Sequence, residues 1–321
     1  MIPNHKFCIA PMMDWTDRHD RVFLRQFSSH ALLYTEMVTS AALEHGDANY
    51  LLKHDSSEHP VALQLGGSNP DELARAAALG EQAGFDEINL NVGCPSDRVQ
   101  SGAFGACLMT DPRHVSTCVA FMKKSTRLPV TVKCRIGVDD HDSEANLLDF
   151  INIVAQGGCE IFIIHARKAY LKGLSPKENR EIPPLNYERV FTVKQHHPYL
   201  NIIINGGITS MNTAQQLLKE VDGVMIGREA YQNPYFLHYA DNQLFGEVVL
   251  RKSRSDYFTQ YLPYVESELS KGTPLQHMTR HLLGLFRGQK GGKLYRRHLS
   301  EHSHKQGANI NVLLDAITYV T

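Results

Sequence analysis

The stretch EINLNVGCPSDRV, residues 87–99, is a short apolar strand that runs directly into a turn carrying a cysteine. Similar short apolar runs recur along the chain, and the eight predicted strands are 7–12, 31–37, 61–66, 87–92, 130–136, 161–167, 201–206 and 223–227. Amphipathic segments separate several of them. One of these has Asn69 as N-cap, Pro70 at the first helical position and Gly84 past the end. Alternating strands and helices indicate βαβ units and a parallel sheet.

Eight such units predict an α/β fold of the (β/α)8 TIM-barrel type, with a doubly wound open sheet as the alternative. The barrel is favoured because nearly every predicted strand ends in a polar or reactive residue, and barrel chemistry lies at the carboxyl ends of the strands. These ends are Pro11 to Met13, Gln64, Asn91 with Cys94, Lys133 with Arg135, His165 with Arg167, Asn205 to Gly207, and Gly227 with Arg228. We therefore expect these residues to converge on one face of the barrel.

The alternation of strands and helices stops after about residue 239. We predict two domains: a catalytic barrel over residues 1–242, followed by a small all-helical domain over residues 243–321. The first 240 residues carry 22 Lys/Arg and 27 Asp/Glu, whereas the remainder carries 11 and 7. An acidic body with a basic tail is compatible with a polyanionic partner that is held at one end.

The composition is that of a soluble globular protein, since 42% of the 321 residues are hydrophobic and 21% are charged. No apolar run approaches the roughly 20 residues of a membrane-spanning helix, and the N-terminus lacks a signal-peptide layout. The six cysteines form no CxxC pair, and no His/Cys spacing indicates zinc. Reduced thiols in a cytoplasmic protein are therefore expected. No long apolar helix is left over, which favours a monomer without an evident protein partner.

The last two predicted strands are followed by Gly206-Gly207 and by Gly227-Arg228. In barrels, the loops after these strands often form a phosphate site, where glycines let backbone N–H groups approach the anion and an arginine adds a fork. One glycine pair would more often only turn the chain, but two such loops on adjacent strands favour a phosphate. Flavin mononucleotide (FMN) has one phosphate, so it fits a single phosphate site at the mouth of one barrel. A cation near its pyrimidine edge stabilises the reduced form. No GxGxxG follows any strand, so a Rossmann nicotinamide site is not supported.

Several segments, taken together and in order, resemble the tRNA-dihydrouridine synthases. They are APMMDWTDRH, LQLGGSNP, INLNVGCPSDRVQSG, FGACLM, TVKCRIG, FIIHARKAYLKGLSPKENREIPPLNY, INGGI and GVMIGREAYQNP. The run from His165 to Tyr187 and the tail segments LGLFRG and YRRHLS resemble the A-type bacterial branch. The NxGCP turn and the HARKAYLKGLSPKENR block are specific signals, whereas the glycine loops are not.

The resemblance implies reduction of the C5–C6 bond of tRNA uridine to 5,6-dihydrouridine, with tightly bound FMN and with NADPH as hydride donor. The A-type branch acts on D-loop uridines at tRNA positions 20 and 20a. Carried over by motif, the proton donor would be Cys94. FMN would be held by Pro11, Met12, Met13, Gln64, Lys133, His165, Asn205, Gly206, Gly207, Gly227 and Arg228. The tRNA would be contacted by Asn91, Lys177, Arg180, Lys293 and Arg296.

This chemistry explains why a strand ends in a cysteine. Hydride arriving at C6 of the base leaves negative charge at C5 and O4, so a proton must reach C5 from the opposite face. A free thiol, with a pKa of about 8.5, is protonated at neutral pH and can supply it. The target base must also be flipped out of its stack, at a cost of a few kcal/mol. The segment from Arg287 to Lys305, with six Lys/Arg and one Glu, could grip the RNA backbone in compensation.

Three positions depart from the pattern of the family. Lys293 stands where arginine is usual, Ala103 where a basic residue is common, and Asp20 where cysteine is frequent. Lysine is a point charge rather than a fork, so the geometry of a phosphate contact at position 293 is expected to differ. None of the three changes removes a proposed catalytic atom.

Three other interpretations share part of this pattern. An FMN barrel that reduces a small free pyrimidine or enone would keep the flavin residues but would not need the basic tail. A non-catalytic RNA-binding barrel would not need Cys94, Lys133 or His165. A phosphate-binding aldolase or isomerase would use Lys133 as a Schiff base and would leave Cys94 without a role.

Overall fold

The computed structural model describes residues 3–96, 102–248, 250 and 252–320. Residues 97–101, which complete the motif after the Cys94 turn, lie outside the described residues.

The described chain forms a closed barrel of parallel strands. Its strands are β1 (Phe7–Ile9), β2 (Leu32–Tyr34), β3 (Val38–Thr39), β4 (Val61–Gly66), β5 (Glu87–Val92), β6 (Val130–Arg135), β7 (Ile161–His165), β8 (Asn201–Asn205) and β9 (Gly223–Ile226). The order is β2-β1-β9-β8-β7-β6-β5-β4, and pairing of β2 with β4 closes the ring. The two-residue strand β3 pairs only with β4. Eight strands therefore form the ring, and the predicted (β/α)8 barrel is confirmed.

Two predicted strands are shorter in the structure by three residues or more, whereas the others match within two residues. The first predicted strand, 7–12, ends at Ile9, because the carbonyl of Met12 accepts hydrogen bonds from the N–H groups of Trp15 and Thr16 and turns the chain. The second, 31–37, is broken after Tyr34 and resumes as β3. The main strands of the ring, β4 to β8, lie where the sequence places them.

Helices surround the barrel and fill the connections. The α-helices up to residue 245 are Arg18–Arg25, Ser40–His45, Ala48–Leu51, Pro70–Ala83, Pro112–Ser125, Glu144–Gln156, Tyr187–His196, Met211–Leu217, Arg228–Gln232 and Ala240–Phe245. Short 3-10 helices are Ser56–Glu58, Gly105–Thr110, Glu178–Arg180 and Pro234–Tyr239. The predicted caps of one helix are confirmed. The Asn69 side chain accepts from the N–H groups of Asp71 and Glu72, and Gly84 adopts φ +96°, where a side chain would be strained.

The described residues after 252 are helical and form no strand. Their helices are Arg254–Ser270, Gln276–Thr279, the 3-10 helix Arg280–Gly284, Gly292–His302 and Asn311–Ile317. Aromatic contacts attach them to the first barrel helix and to the residues just after it: the ring of Tyr261 lies 5.1 Å from Phe23 in that helix, and the ring of Tyr257 stacks on Phe27 at 4.1 Å. The division into domains 1–242 and 243–321 stays a prediction. Among the described residues, no helix combines the length and apolar character needed to cross a membrane.

The interior of the barrel has two different sides. Apolar side chains, which include Ile161, Ile163, Ile203 and Met225, form one cluster inside the ring. On strands β4 to β6 most of the buried inward side chains are instead polar, with Ala62 of the apolar cluster as an exception. We call this polar set the polar row, and it consists of Gln64, Glu87, Asn89, Asn91 and Thr131. The polar row lies beneath the turn that carries Cys94.

Candidate active site

The turn after β5 presents Cys94 at the carboxyl end of the barrel. The Asn91 side-chain oxygen accepts from the backbone N–H groups of Gly93 and Cys94, each at 3.0 Å. The carbonyl of Cys94 accepts from the N–H of Ala106 at 2.9 Å, and its thiol lies 3.5 Å from the Ser96 hydroxyl. The Cys94 side chain is partly exposed. The thiol is therefore held on a fixed turn and remains accessible to a ligand.

Arg135 connects this turn to the long loop after β7. Its Nε donates to the carbonyl of Gly93 at 3.0 Å, and its Nη1 donates to the carbonyls of Lys168 and Asn179 at 3.1 and 2.8 Å. Buried Asn179 pins that loop by exchanging hydrogen bonds with the backbone of Tyr170. The sequence showed Arg135 at a strand end but gave it no role. The sequence contained one indication of this role. Arg135 lies two residues beyond Lys133, and this spacing places both side chains on the same face of β6.

Lys133 lies at the carboxyl end of β6, next to Asn91 in the register of the sheet. Its Nζ donates to the Asn205 side-chain oxygen at 3.2 Å, and the Asn205 amide donates to the carbonyl of Met225 at 2.8 Å. Burial, with a smaller contribution from the Arg135 charge, lowers the pKa of Lys133 to about 8. Lys133 is therefore a cation at neutral pH, but one that is poised to lose its proton.

His165, at the end of β7, is a neutral group. Burial and the neighbouring positive charges of Arg135 and Lys133 lower the pKa of His165 well below its ordinary value. Its ring packs against Gly206, where a Cβ atom would lie 2.7 Å from the ring carbon Cδ2. Gly206 has φ +120°, so a side chain is excluded both by the backbone conformation and by the imidazole.

The two glycine loops differ in the space around them, which is crowded at Gly207 and open at Gly227. Gly207 has φ +69°, and a Cβ there would lie 2.5 Å from Leu185. At Gly227 a Cβ would meet only Ala10 and Met12, at 3.8 and 3.9 Å. The Pro11 to Met13 segment thus lies beside the Gly227 loop, as the prediction of convergence requires, and the Met13 side chain is 55% exposed.

Arginines give this end of the barrel a positive charge. Arg228 forms an ion pair of 2.5 Å with Glu181, and its Nη2 donates to the carbonyl of Arg180 at 3.4 Å. Burial and the nearby Arg228 charge lower the pKa of Arg180. The Arg135 guanidinium donates to the Gly93 carbonyl next to Cys94, and Lys133 lies opposite Asn91 on the neighbouring strand. A negative charge that develops near the thiol would therefore be stabilised.

The structure does not bring every predicted residue to this centre. Gln64 is buried below it and accepts from the Asn91 amide at 2.9 Å. Lys177 is exposed on the loop after β7. Lys293 and Arg296 lie on the separate helix Gly292–His302, with Lys293 exposed and Arg296 partly buried. These last two can contact only a ligand large enough to extend beyond the barrel mouth.

A cavity of about 690 Å³ adjoins the site and was not predicted. It is lined by Met13 on the barrel side, by Glu36 and Lys53 after β2, and by His277 and Arg280 of the C-terminal helices. It does not include Cys94, Lys133 or His165, so the reactive centre lies outside it. The cavity arises from segments far apart in sequence, and no local motif signals it.

The fold is that of a (β/α)8-barrel enzyme, and the candidate site lies at the carboxyl ends of its strands. A family model described as Dihydrouridine synthase (Dus) matches residues 8–320. The chain belongs to the dihydrouridine synthase family. The predicted resemblance is confirmed, and so is the prediction of an oxidoreductase.

Similar proteins cover nearly the whole chain. A tRNA-dihydrouridine(20/20a) synthase of Vibrio parahaemolyticus is 55% identical over 98% of this chain and 97% of its own length. The protein of the same name in Escherichia coli K12 is 57% identical over 98% of this chain and 91% of its own length. Among solved structures, morphinone reductase matches with a TM-score of 0.51 at 13% identity, covering 78% of this chain and 88% of that chain. At this identity the last match shows a shared barrel fold only.

Proposed function

We propose that this chain reduces the C5–C6 bond of D-loop uridines in tRNA, at positions 20 and 20a, to 5,6-dihydrouridine. FMN is the bound cofactor, NADPH is the reductant, and Cys94 is the proton donor. The observation that carries the proposal is the fixed Cys94 turn, surrounded by Lys133, Arg135 and Arg180 at the barrel mouth. Support for tRNA as the substrate comes from the relatives, which are named tRNA-dihydrouridine(20/20a) synthases.

The residues at the barrel mouth fit FMN. A Cβ atom at Gly206 or Gly207 would collide with His165 or Leu185, so the glycines let this loop pack closely against His165, another residue assigned to FMN. Gly227 is open, and the Arg228 guanidinium next to it offers a bidentate partner. Its ion pair with Glu181 is partly exposed, so exchange of that carboxylate for a phosphate is inexpensive.

The reaction adds one hydride and one proton to the base and oxidises NADPH to NADP+. FMN held at the barrel mouth would supply a hydride to C6 of the uracil, and NADPH would restore the reduced form. The Lys133 cation and the neutral His165 ring stabilise the negative charge on the pyrimidine edges until the base is protonated. The Cys94 thiol gives its proton to C5 from the opposite face of the base.

Residues outside the barrel mouth hold the RNA backbone. The helix Gly292–His302 buries Tyr295 and Leu299 and exposes Lys293 and Arg297 on the opposite face. Exposed cations on one packed helix suit phosphate contacts, which position the RNA and offset the cost of flipping the base. We assign Lys177, Lys293 and Arg296 to the tRNA contact outside the centre, and Asn91 and Arg180 to the tRNA contact within it.

The test is nucleoside mass spectrometry of tRNA lacking the modification, after incubation with the protein and NADPH. We expect the D-loop uridines to gain two hydrogens. The variant Cys94→Ala should still bind flavin and let NADPH reduce it, but dihydrouridine formation should fall by at least ~10²-fold, as expected for loss of a positioned proton donor.

The matched control is Cys107→Ala. Cys107 is another half-buried thiol, and it donates to the carbonyl of Phe104. It should keep wild-type activity. Equal activity of Cys94→Ala and the wild type would refute the role of Cys94, and a wild-type protein that forms no dihydrouridine would refute the proposed function itself.

A further inference from the structure

The polar row forms one continuous chain of hydrogen bonds through the barrel. The Asn91 amide donates to Gln64 at 2.9 Å, and the Gln64 amide donates to Asn89 at 2.8 Å. The Asn89 amide donates to the Thr131 hydroxyl at 2.8 Å, and this hydroxyl donates to Glu87 at 2.7 Å. From Glu87 to Asn91 the row spans about 13 Å of strand, at roughly 3.3 Å per residue.

The chemistry at the two ends fixes the direction of this chain. At the top, the N–H groups of Gly93 and Cys94 can only donate, so Asn91 must turn its oxygen toward them and its amide toward Gln64. At the bottom, the Glu87 carboxylate can only accept. Gln64, Asn89 and Thr131 lie between these two ends, and each therefore has one permitted orientation. Each accepts a hydrogen bond from the neighbour nearer Cys94 and donates one to the neighbour nearer Glu87.

Glu87 is itself held by donors at the amino-terminal end of the barrel. It accepts from the Tyr34 hydroxyl at 2.8 Å and pairs with His5 at 2.5 Å. Burial, with the nearby Glu87 charge, raises the pKa of Tyr34 well above its ordinary value, so the phenol keeps its proton and remains a donor. All members of the row are at most 9% exposed, so water does not replace a lost partner freely.

We propose that the polar row positions the Cys94 turn: Glu87, through Thr131 and Asn89, sets the orientation of the Asn91 amide that holds Gly93 and Cys94. Thr131 and Asn89 are then positioning residues, far below the reactive thiol. In an interrupted row, Gln64 and Asn91 could rotate their amides, and the turn would lose the acceptor of its two N–H groups. The effect on the reaction rests on the proposed function, whereas the effect on the turn does not.

The test is a pair of substitutions at Thr131 in the full-length protein. Thr131→Val keeps the shape and removes the hydroxyl, and Thr131→Ser keeps the hydroxyl. In Thr131→Val we expect hydrogen exchange at the Gly93 and Cys94 amides to accelerate by about tenfold, because both lose a hydrogen bond to Asn91. The kcat for dihydrouridine formation should fall about tenfold with the KM for tRNA unchanged, because Thr131 does not touch the RNA. Thr131→Ser should restore both quantities.

The control is Ile163→Val, which trims an equally buried side chain on the apolar side of the barrel. It should leave exchange at Gly93 and Cys94 as in the wild type. Should Thr131→Val fail to fold, Thr131→Ala removes the same hydroxyl from a smaller side chain.

The outcomes separate the two proposals. Unchanged exchange in Thr131→Val, or equal acceleration in Ile163→Val, would overturn the positioning role of the row. A wild-type protein without dihydrouridine activity would overturn the proposed function, while the exchange measurement would still decide whether the row holds the turn.

Discussion

The two sides of the barrel interior use the same strand geometry for different purposes. Ile163, Ile203 and Met225 fill one side with apolar contacts, which stabilise the barrel without favouring any orientation. Glu87, Asn89 and their neighbours fill the other side with hydrogen bonds, each of which requires a specific partner. The Cys94 turn stands over the polar side. The proposed positioning role gives the two halves of the interior different tasks, since the apolar half holds the barrel together and the polar half orients the turn.

The largest expected effect comes from breaking the lower end of the polar side. In Glu87→Leu, the Tyr34 and Thr131 hydroxyls and His5 lose their common acceptor in a fully buried place. We expect the free energy of unfolding to fall by about 3–5 kcal/mol, the usual range for removing one member of a buried polar set. Urea unfolding followed by circular dichroism measures it.

Two control variants show whether the loss of stability is specific to the polar side. Ile163→Val on the apolar side should cost only about 1 kcal/mol. Glu160→Gln, at an exposed glutamate just before β7, should change stability by less than about 0.5 kcal/mol. If Glu87→Leu lowered the free energy of unfolding by no more than Ile163→Val, the two sides of the interior would be equivalent. The proposed difference between them would then be refuted.

A pH profile examines the upper end of the polar side, where Lys133 lies next to Asn91. Because the pKa of Lys133 is lowered to about 8, the rate of dihydrouridine formation should be level below that pH. Above it the rate should fall by up to about tenfold per pH unit as the cation is lost. In Lys133→Arg the charge persists to high pH, so the part of this falling limb that Lys133 causes should disappear even if the rate is lower. If the rate falls with pH in the same way in the wild type and in Lys133→Arg, a group other than Lys133 is titrating.

The same group has an opposite effect on stability. Folding lowers the pKa of Lys133 from its ordinary value of 10.5, so between about pH 8 and that value the unfolded chain binds more protons than the folded protein. The contribution of Lys133 to stability therefore rises with pH over this interval and does not change below it. Unfolding curves of the wild type and Lys133→Arg at pH 7 and 9.5 measure the difference.

The smallest effect is expected outside the barrel interior. Lys293→Ala removes one exposed cation from the helix Gly292–His302 and should weaken tRNA binding uniformly. The slope of log Kd against log salt concentration should shrink by about 1, as for one lost phosphate contact. Lys219→Ala, at an exposed lysine after the helix Met211–Leu217, should leave binding unchanged. Equal salt slopes for the two variants would remove Lys293 from the RNA contact, and neither should affect the Cys94 turn.

Much of the fold was predictable because its signals are local. Buried strands of four to six residues, bounded by turns, identified the ring from β4 to β8. The cap residues Asn69 and Gly84 bounded a helix because they satisfy backbone groups within a few residues. The strand β3 was missed, because two residues that pair with β4 carry no periodic pattern.

The sequence by itself determined which residues stand at the carboxyl ends of the strands, since a parallel barrel gathers those ends on one face. Only the tertiary structure decided which side chains meet inside. In β5, apolar and polar residues alternate, and the alternation does not say which set faces inward. Closure of the ring turned Glu87, Asn89 and Asn91 inward and brought them to Gln64 and Thr131, which lie 25 and 42 residues from Asn89 in the chain. Hydrogen bonds between strands so far apart depend on register and closure, and no local pattern in the sequence encodes either.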